Sequence, residues 1–391
     1  MKKILGLILE LNPPHNGHKY FIEEAKKIVN PDVTVAVIST NFSMRGDIMV
    51  LNKFQRTQIA IKLGVDIVLE LPTIFSLNSA DLFCYNAISI LNSISVTDIC
   101  FGVELDNLDK LNKMVKIIDS SEYNQSIKSF LDSGISYQAS SFKAFSSLIN
   151  DKDLINNFTL PNNTLAIQYL RSIKQIDNNI NVHIIKRIDN NYYDEKVSCS
   201  SIASATSLRC LLEENRPINE FIPINDYNFI NIKASYNNLF NILKYKFLVQ
   251  DINKIASTFG VSEGIENRFF QLIDMADNYN DLVKIVQTKR YSLNKIKRLI
   301  IHILLETNIG IGNKANDEYI RILGMNENGK KYIASLDREV KKKIITTIKH
   351  HLDNEILQFE LKSTRFYGIL VNSKNLFLEE FKLPIIEGEN E

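Results

Sequence analysis

The feature that most restricts how this chain can fold is the junction in its first thirty residues. An apolar run, Ile4-Leu5-Gly6-Leu7-Ile8-Leu9, breaks at Asn12-Pro13-Pro14-His15-Asn16-Gly17-His18. The chain then continues as Lys19-Tyr20-Phe21-Ile22-Glu23-Glu24-Ala25-Lys26-Lys27. A short apolar run bounded by turn residues reads as a buried strand. Phe21, Ile22, Ala25, Ile28 and Val29 fall at helical spacing. Two histidines therefore flank a glycine where a first strand hands over to a first helix. In open α/β sheets that handover is where ligands bind, and a helix start attracts phosphate through its free N–H groups and dipole.

The alternation continues. Val33-Thr34-Val35-Ala36-Val37-Ile38 reads as a second strand, residues 54–63 as a helix ended by Gly64, and Val65-Asp66-Ile67-Val68-Leu69-Glu70-Leu71 as a third strand stopped by Pro72. Residues 78–91 read as a helix and Thr97-Asp98-Ile99-Cys100-Phe101 as a fourth strand ending at Gly102. Strands alternating with helices predict a parallel sheet with right-handed crossovers. Residues 106–150 are helical, more polar and broken by serines, as in an insertion. A helix over 163–173 and a fifth strand over 181–188 follow, then a polar loop over 189–199 and a helix opening within 200–209.

Past Pro217 and Pro223 the texture changes, and residues 239–249, 252–259, 265–276, 280–287 and 293–306 all carry helical periodicity. Phe366-Tyr367-Gly368-Ile369-Leu370-Val371 reads as a small strand or tail. The expected architecture is α/β: a Rossmann-like parallel-sheet domain over residues 1–219 with a helical insertion at 106–150, then a mostly α-helical domain over 220–391.

Composition narrows the function classes. With a net charge of +1 there is no whole-chain electrostatic case for nucleic acid, so any basic surface must be local. The abundance of Asn, Ile and Lys reads as compositional bias, with Asn-rich loops as drift. Cys84, Cys100, Cys199 and Cys210 have no C-x-x-C spacing and read as reduced thiols. The apolar run after Met1-Lys2-Lys3 is too short for a signal-peptide core, and no apolar stretch is long enough to span a bilayer. The expectation is a cytoplasmic protein.

His15 and His18 carry the first chemical hypothesis. Imidazoles at a strand-to-helix turn can donate to phosphate oxygens as charge builds in a transition state, which is electrostatic rather than nucleophilic catalysis. Ser204-Ala205-Thr206-Ser207-Leu208-Arg209 carries the second. Small hydroxyl residues at a helix start either cap it or bind phosphate, and Arg209, one turn in, is either a surface charge or a planar fork for the same anion. Paired with the histidine turn, the segment reads as the second half of a triphosphate cradle.

These two elements resemble the H-x-G-H and S/T-x-x-R signatures of the nucleotidyltransferase superfamily (HUP-type α/β folds). The resemblance then becomes closer. The stretch from Gly6 through His18, Asn41-Phe42-Ser43-Met44-Arg45-Gly46, Val68-Leu69-Glu70-Leu71-Pro72, Cys100-Phe101-Gly102, Pro161-Asn162-Asn163-Thr164-Leu165-Ala166 and Ala203-Ser204-Ala205-Thr206 occur in the order seen in the bacterial tRNA(Met) cytidine acetate ligases. Thr288-Lys289-Arg290-Tyr291, Arg298-Leu299-Ile300-Ile301-His302-Ile303-Leu304-Leu305 and Tyr319-Ile320-Arg321-Ile322-Leu323-Gly324 also look like that family.

The resemblance implies a two-step ligase. Acetate attacks the α-phosphate of ATP, giving acetyl-adenylate and pyrophosphate. The acetyl group then passes to N4 of the wobble cytidine of elongator tRNA(Met), without acetyl-CoA. It implies an ATP site formed by Ile8, Leu9, Glu10, Leu11, Asn12, Pro13, Pro14, His15, Asn16, Gly17, His18, Lys19, Tyr20 and Phe21, with Gly102, Asn162, Asn163 and Arg187, joined by Ser204, Thr206 and Arg209. His15 and His18 are the catalytic pair, Mg2+ is expected as charge neutraliser, and no carboxylate cluster dictates a metal site. Asn162 or Asn163 either reads a nucleotide edge or caps the next helix. Lys289, Arg290 and Arg298, near Tyr291, are the expected tRNA contacts, since phosphate binding needs local charge and an unstacked base needs an aromatic.

The chain departs from the family in places. Pro14 stands where an aromatic is common and Leu11 where a Tyr is common. Asp189-Asn190-Asn191-Tyr192-Tyr193-Asp194 replaces a glycine-containing loop with a Tyr-His-Asp run. Two rival functions remain at this level: an adenylyltransferase for a small cofactor precursor, and a catalytically silent RNA-binding protein.

Overall fold

A computed structural model describes residues 2–177, 179–187, 203–314 and 319–387. The five anticipated strands are present as β1 (Ile4–Leu9), β2 (Val33–Ser39), β3 (Ile67–Leu71), β4 (Asp98–Val103) and β5 (Asn181–Lys186). They run parallel in the order β5-β4-β1-β2-β3. Every residue of β2 and β3 is buried, because helices cover both faces. That is why these strands are apolar throughout instead of alternating. From β1 the chain winds outward to β3, then returns to place β4 on the other side of β1. The winding direction reverses between β1 and β4, and the crevice at the carboxyl ends of such a pair is the ligand site of open α/β sheets.

Helices begin where the sequence supplies a cap. Asn52, Asn107, Asn231, Asn278, Asn308, Asn326 and Asn354 each accept a backbone N–H at a helix start. These asparagines satisfy donors that a helix leaves unpaired, so reading them as drift is corrected. The 106–150 segment folds as helices Leu108–Ile118, Ser121–Asp132 and Tyr137–Ser147. Leu111, Met114, Tyr123 and Phe145 carry it into the main core.

In the second half, helices Ile232–Val249, Ile252–Ala256, Ile265–Leu272, Tyr279–Val286 and Leu293–Leu304 match the periodic segments. The sheet, however, does not stop at β5. Strand β6 (Ile320–Met325) pairs antiparallel with β3, and the short strands β7 (Ile344–Ile345) and β8 (Ile385–Ile386) pair with β6, making eight strands among the described residues. Residues 320–325 are all buried like β2 and β3, but they lie among helices, away from the strand–helix alternation that marks those strands. Residues 366–371 are not a strand: they close helix Glu355–Leu370. The helical period was hidden because the buried face of that helix includes polar Glu360, Ser363 and Thr364.

Those polar residues belong to a fully buried charge cluster where the two halves of the chain meet. Lys53 Nζ lies 2.6 Å from Glu70, 3.1 Å from Glu360 and 2.7 Å from Glu380. Arg321 on β6 pairs with Glu70 and Glu380, at 3.3 and 2.7 Å. The hydroxyl of Tyr319 donates to Glu70 and that of Thr364 to Glu380. Thr73 N–H donates to Glu360 at 2.6 Å. Burial and three carboxylates act oppositely on the Lys53 ammonium, and the carboxylates push its pKa up. A buried charge persists only when paired and hydrogen-bonded in this way.

Candidate active site

The β1/β4 crevice holds a cleft that opens to solvent, about 1030 Å³ with its mouth included. Its walls come from several elements. The end of β1 supplies Ile8, Leu9 and Glu10, and the following turn supplies His15, Gly17, His18, Tyr20 and Phe21. Phe101 and Gly102 come from β4, and Asn162, Leu165 and Tyr169 from helix Pro161–Ile176. Ile185, Lys186 and Arg187 close the far side with Ala203 and Ser204.

The two imidazoles meet. Their ring centroids are 3.8 Å apart and the His15 backbone N–H donates to His18 Nδ1 at 3.2 Å. A neutral His18 therefore carries its proton on Nε2. Burial lowers His18 to about 3, with the charge of Arg187 acting in the same direction. Burial also lowers His15 well below its ordinary value, helped by His18, Arg187 and Arg209. Two guanidinium groups and two neutral N–H-bearing rings at one helix start make a site that an anion stabilises.

Not every anticipated residue faces the cleft. Leu11 is fully buried in the core, at φ 54°. Asn12 accepts from Val50 N–H through its side chain at 2.9 Å, and Pro13 and Pro14 are buried. In the buried Pro14 position, a residue with no free N–H lies against the interior instead of the family's aromatic. Asn16 ties the turn to the second half of the chain: its Nδ2 donates to Glu220 O at 2.9 Å and its N–H to Phe221 O at 2.8 Å. Lys19 is exposed.

Of the asparagine pair, Asn162 lines the cleft. Asn163 is fully buried and its Oδ1 accepts from Glu104 and Leu105 N–H, both at 3.0 Å. Ser204 lines the cleft and caps helix Ala205–Glu213 by accepting from Ser207 N–H at 3.1 Å. Thr206 and Arg209 stand behind it. Arg209 donates to Asn12 O at 2.7 Å and to Thr206 Oγ1 at 3.3 Å, and lies 3.9 Å from Asp47, bracing the histidine turn from outside. The loop over 189–199 and the first residues of 200–209 lie outside the described residues.

Sequence reasoning missed Phe101, Leu165, Tyr169, Ile185, Lys186 and Ala203. Two were within reach: Leu165 and Tyr169 follow Asn162 by three and seven positions, one face of a helix. Phe101 and Tyr169 then pack ring to ring, centroids 5.3 Å apart.

Among the anticipated tRNA contacts, Lys289 and Arg290 are exposed, Arg290 pairing with Glu263 at 3.1 Å. Arg298 is half-buried and donates to Met44 O at 3.1 Å. Tyr291 is corrected as a stacking platform: it is buried, its hydroxyl is bonded at Ser262 and the Lys295 ammonium sits 3.8 Å over its ring.

A doubly flanked sheet with paired histidines at its switch point is the architecture of a nucleotidyltransferase, and residues 1–380 match the HIGH nucleotidyl transferase family. Full-length relatives are narrower in kind. The chain is 32% identical to the tRNA(Met) cytidine acetate ligase of Thermosipho melanesiensis, covering all of both chains. It is 33% identical to that of Caldicellulosiruptor saccharolyticus, over 97% of each. The crystal structure of Thermotoga maritima TmcAL superposes with a TM-score of 0.87 at 28% identity, over 98% of this chain and 99% of that one. The same protein bound with alpha-thio ATP gives 0.86. The chain belongs to the tRNA(Met) cytidine acetate ligase family of HIGH nucleotidyltransferases.

Proposed function

We propose that this protein is an ATP-dependent tRNA(Met) cytidine acetate ligase. The observation that carries the reading is the His15–His18 ring pair at the β1/β4 crevice, flanked by Arg187 and Ser204, in a chain whose full-length relatives bear that name. ATP lies with its triphosphate toward the histidine turn. An acetate oxygen attacks the α-phosphorus and the bond to the pyrophosphate oxygen breaks. His15 and His18 donate to the oxygens on which charge accumulates. Ser204 holds the pyrophosphate end, and Arg209 acts on it from behind through its field. In the second step N4 of the wobble cytidine attacks the acetyl carbonyl, AMP leaves, and the amine gives up a proton.

Among the described residues no group of three or more His, Cys, Asp or Glu side chains is arranged to hold a metal ion. The Mg2+ ion is proposed to arrive on the triphosphate, with Glu10 as the carboxylate on the cleft wall. Residues 1–219 handle ATP and residues 220–391 the tRNA, with Lys289, Arg290 and Arg298 on its phosphates. The setting is the cytoplasm, and among the described residues no helix is long and apolar enough to cross a membrane.

The test is incubation with ATP, labelled acetate and elongator tRNA(Met), with labelled acetyl-CoA as parallel donor. Label enters the wobble cytidine from acetate and only with ATP. Incorporation from acetyl-CoA alone would overturn the mechanism, and acetate-dependent pyrophosphate release separates the ligase from a silent RNA-binding protein.

A further inference from the structure

Glu104, just past the end of β4, lies outside the cleft wall but grips one of its residues. One carboxylate oxygen accepts from the backbone N–H of Asn162 at 3.1 Å and from its side-chain Nδ2 at 2.6 Å. The other accepts from Asn163 N–H at 2.8 Å. Asn163 answers by accepting from the N–H groups of Glu104 and Leu105. The result is a reciprocal clasp between the β4 exit and the start of helix Pro161–Ile176.

The clasp decides which way the Asn162 amide points. A carboxylate only accepts, so the amide group turned toward Glu104 must be the NH2. On the other side Arg187, which only donates, faces Asn162 Oδ1 at 3.5 Å. Both neighbours impose the same orientation, leaving the carbonyl oxygen with acceptor capacity on the cleft wall. Gly102 and Arg187 line the same stretch of the cleft wall beside Asn162.

We propose that Glu104 is a positioning residue for nucleotide binding: it fixes Asn162 as a hydrogen-bond acceptor in the cleft, for a donor group of the bound nucleotide. This rests on the ATP reading of the cleft. Donors of that chemistry on ATP are the ribose hydroxyls and the exocyclic amine of adenine. If the amide were free to rotate, the wall would offer a donor as readily as an acceptor and the preference would disappear.

The experiment is acetate-dependent ATP–pyrophosphate exchange by the full chain, as wild type, Glu104→Gln, Asn162→Ala and the double variant. Glu104→Gln raises KM for ATP on the order of tenfold, with kcat largely kept, the scale of one lost hydrogen bond. In the Asn162→Ala background the same substitution adds nothing to KM, because the carbonyl it orients is gone. A merely structural role would cost the same in both backgrounds, and that result overturns the proposal. Among 2′-deoxy-ATP, 3′-deoxy-ATP and inosine triphosphate, the analogue lacking the donor loses about tenfold in the wild type and nothing further in Asn162→Ala. Equal KM values for all three and ATP would also overturn it. Asn162→Ala keeps the Glu104–Asn163 bonds and tests the carbonyl even if Glu104→Gln does not fold. No exchange by the wild type would remove the ATP reading itself, a separate failure.

Discussion

Two imidazoles 3.8 Å apart between two arginines are a poor place for a proton, and this governs how the site responds to pH. Both rings titrate below 6.5 in the folded protein, His18 at about 3. A depressed folded-state pKa gives stability that is present above 6.5 and is lost as pH falls from there toward 3. The unliganded protein therefore loses thermal stability on acidification through that window. A triphosphate against the rings favours their charged form, so ATP binding takes up protons below neutral pH. Calorimetric titration at pH 6 in two buffers of different ionisation enthalpy gives different apparent heats; identical heats would refute the linkage. The substitution His18→Ala lowers acetyl-adenylate formation about 10²–10³-fold, with Tm and tRNA binding close to wild type. At this scale the sequence was legible where a side chain lines the cleft from a turn or a helix start, as at His15, His18 and Ser204. It was not legible for Asn163, Arg209 and Tyr291. Their types suit a ligand site, but each spends its polar or aromatic surface on protein partners that only the folded chain brings near.

The loop carrying Met44 and Gly46 links the cleft to helix Leu293–Leu304. Met44 N–H donates to Glu10 on the cleft wall at 2.7 Å, while Met44 O accepts from Arg298. Asp47 accepts from Lys297 Nζ at 2.8 Å; burial works against its charge, but Lys297 and Arg209 hold its pKa below the ordinary value. Gly46, at φ +83°, lies so close to the helix that a Cβ would stand 2.5 Å from Arg298 N. Gly46→Ala combines an unfavourable φ with a backbone clash and costs about 1–3 kcal/mol, measured by urea unfolding. A change within error would mean the loop is free of the helix. At the exposed end of this segment, Lys289→Ala and Arg290→Ala each weaken tRNA binding and reduce its log–log salt slope by about 0.7–0.9. An unchanged slope would place the tRNA elsewhere. Most helices were legible because apolar stripes are local signals, whereas β6 was not: it lies among helices, away from the strand–helix alternation that marks β1 to β5.

Over the whole molecule, the cluster of Lys53, Arg321, Glu70, Glu360 and Glu380 joins residues from both halves of the chain. Three carboxylates face two cations, and burial, reinforced by Glu70 and Glu380, pushes Glu360 up to about 7. Lys53→Met strands the carboxylates in the interior and destabilises the protein by about 3–5 kcal/mol, seen in the midpoint of urea unfolding. Lys53→Met with Glu360→Gln recovers part of that loss, and full additivity of the two costs would show that the groups do not act as one network. The return of the chain as β6 also has a consequence during synthesis. Until residues 320–325 leave the ribosome the nascent chain has an unpaired edge on β3, and until Glu360 and Glu380 follow it has a lysine whose counter-charges are incomplete. At about 5–20 residues per second that interval lasts on the order of ten seconds or more. A message broken anywhere within it yields a product that exposes a strand edge and unmatched charge, the two features that invite mispairing with other chains.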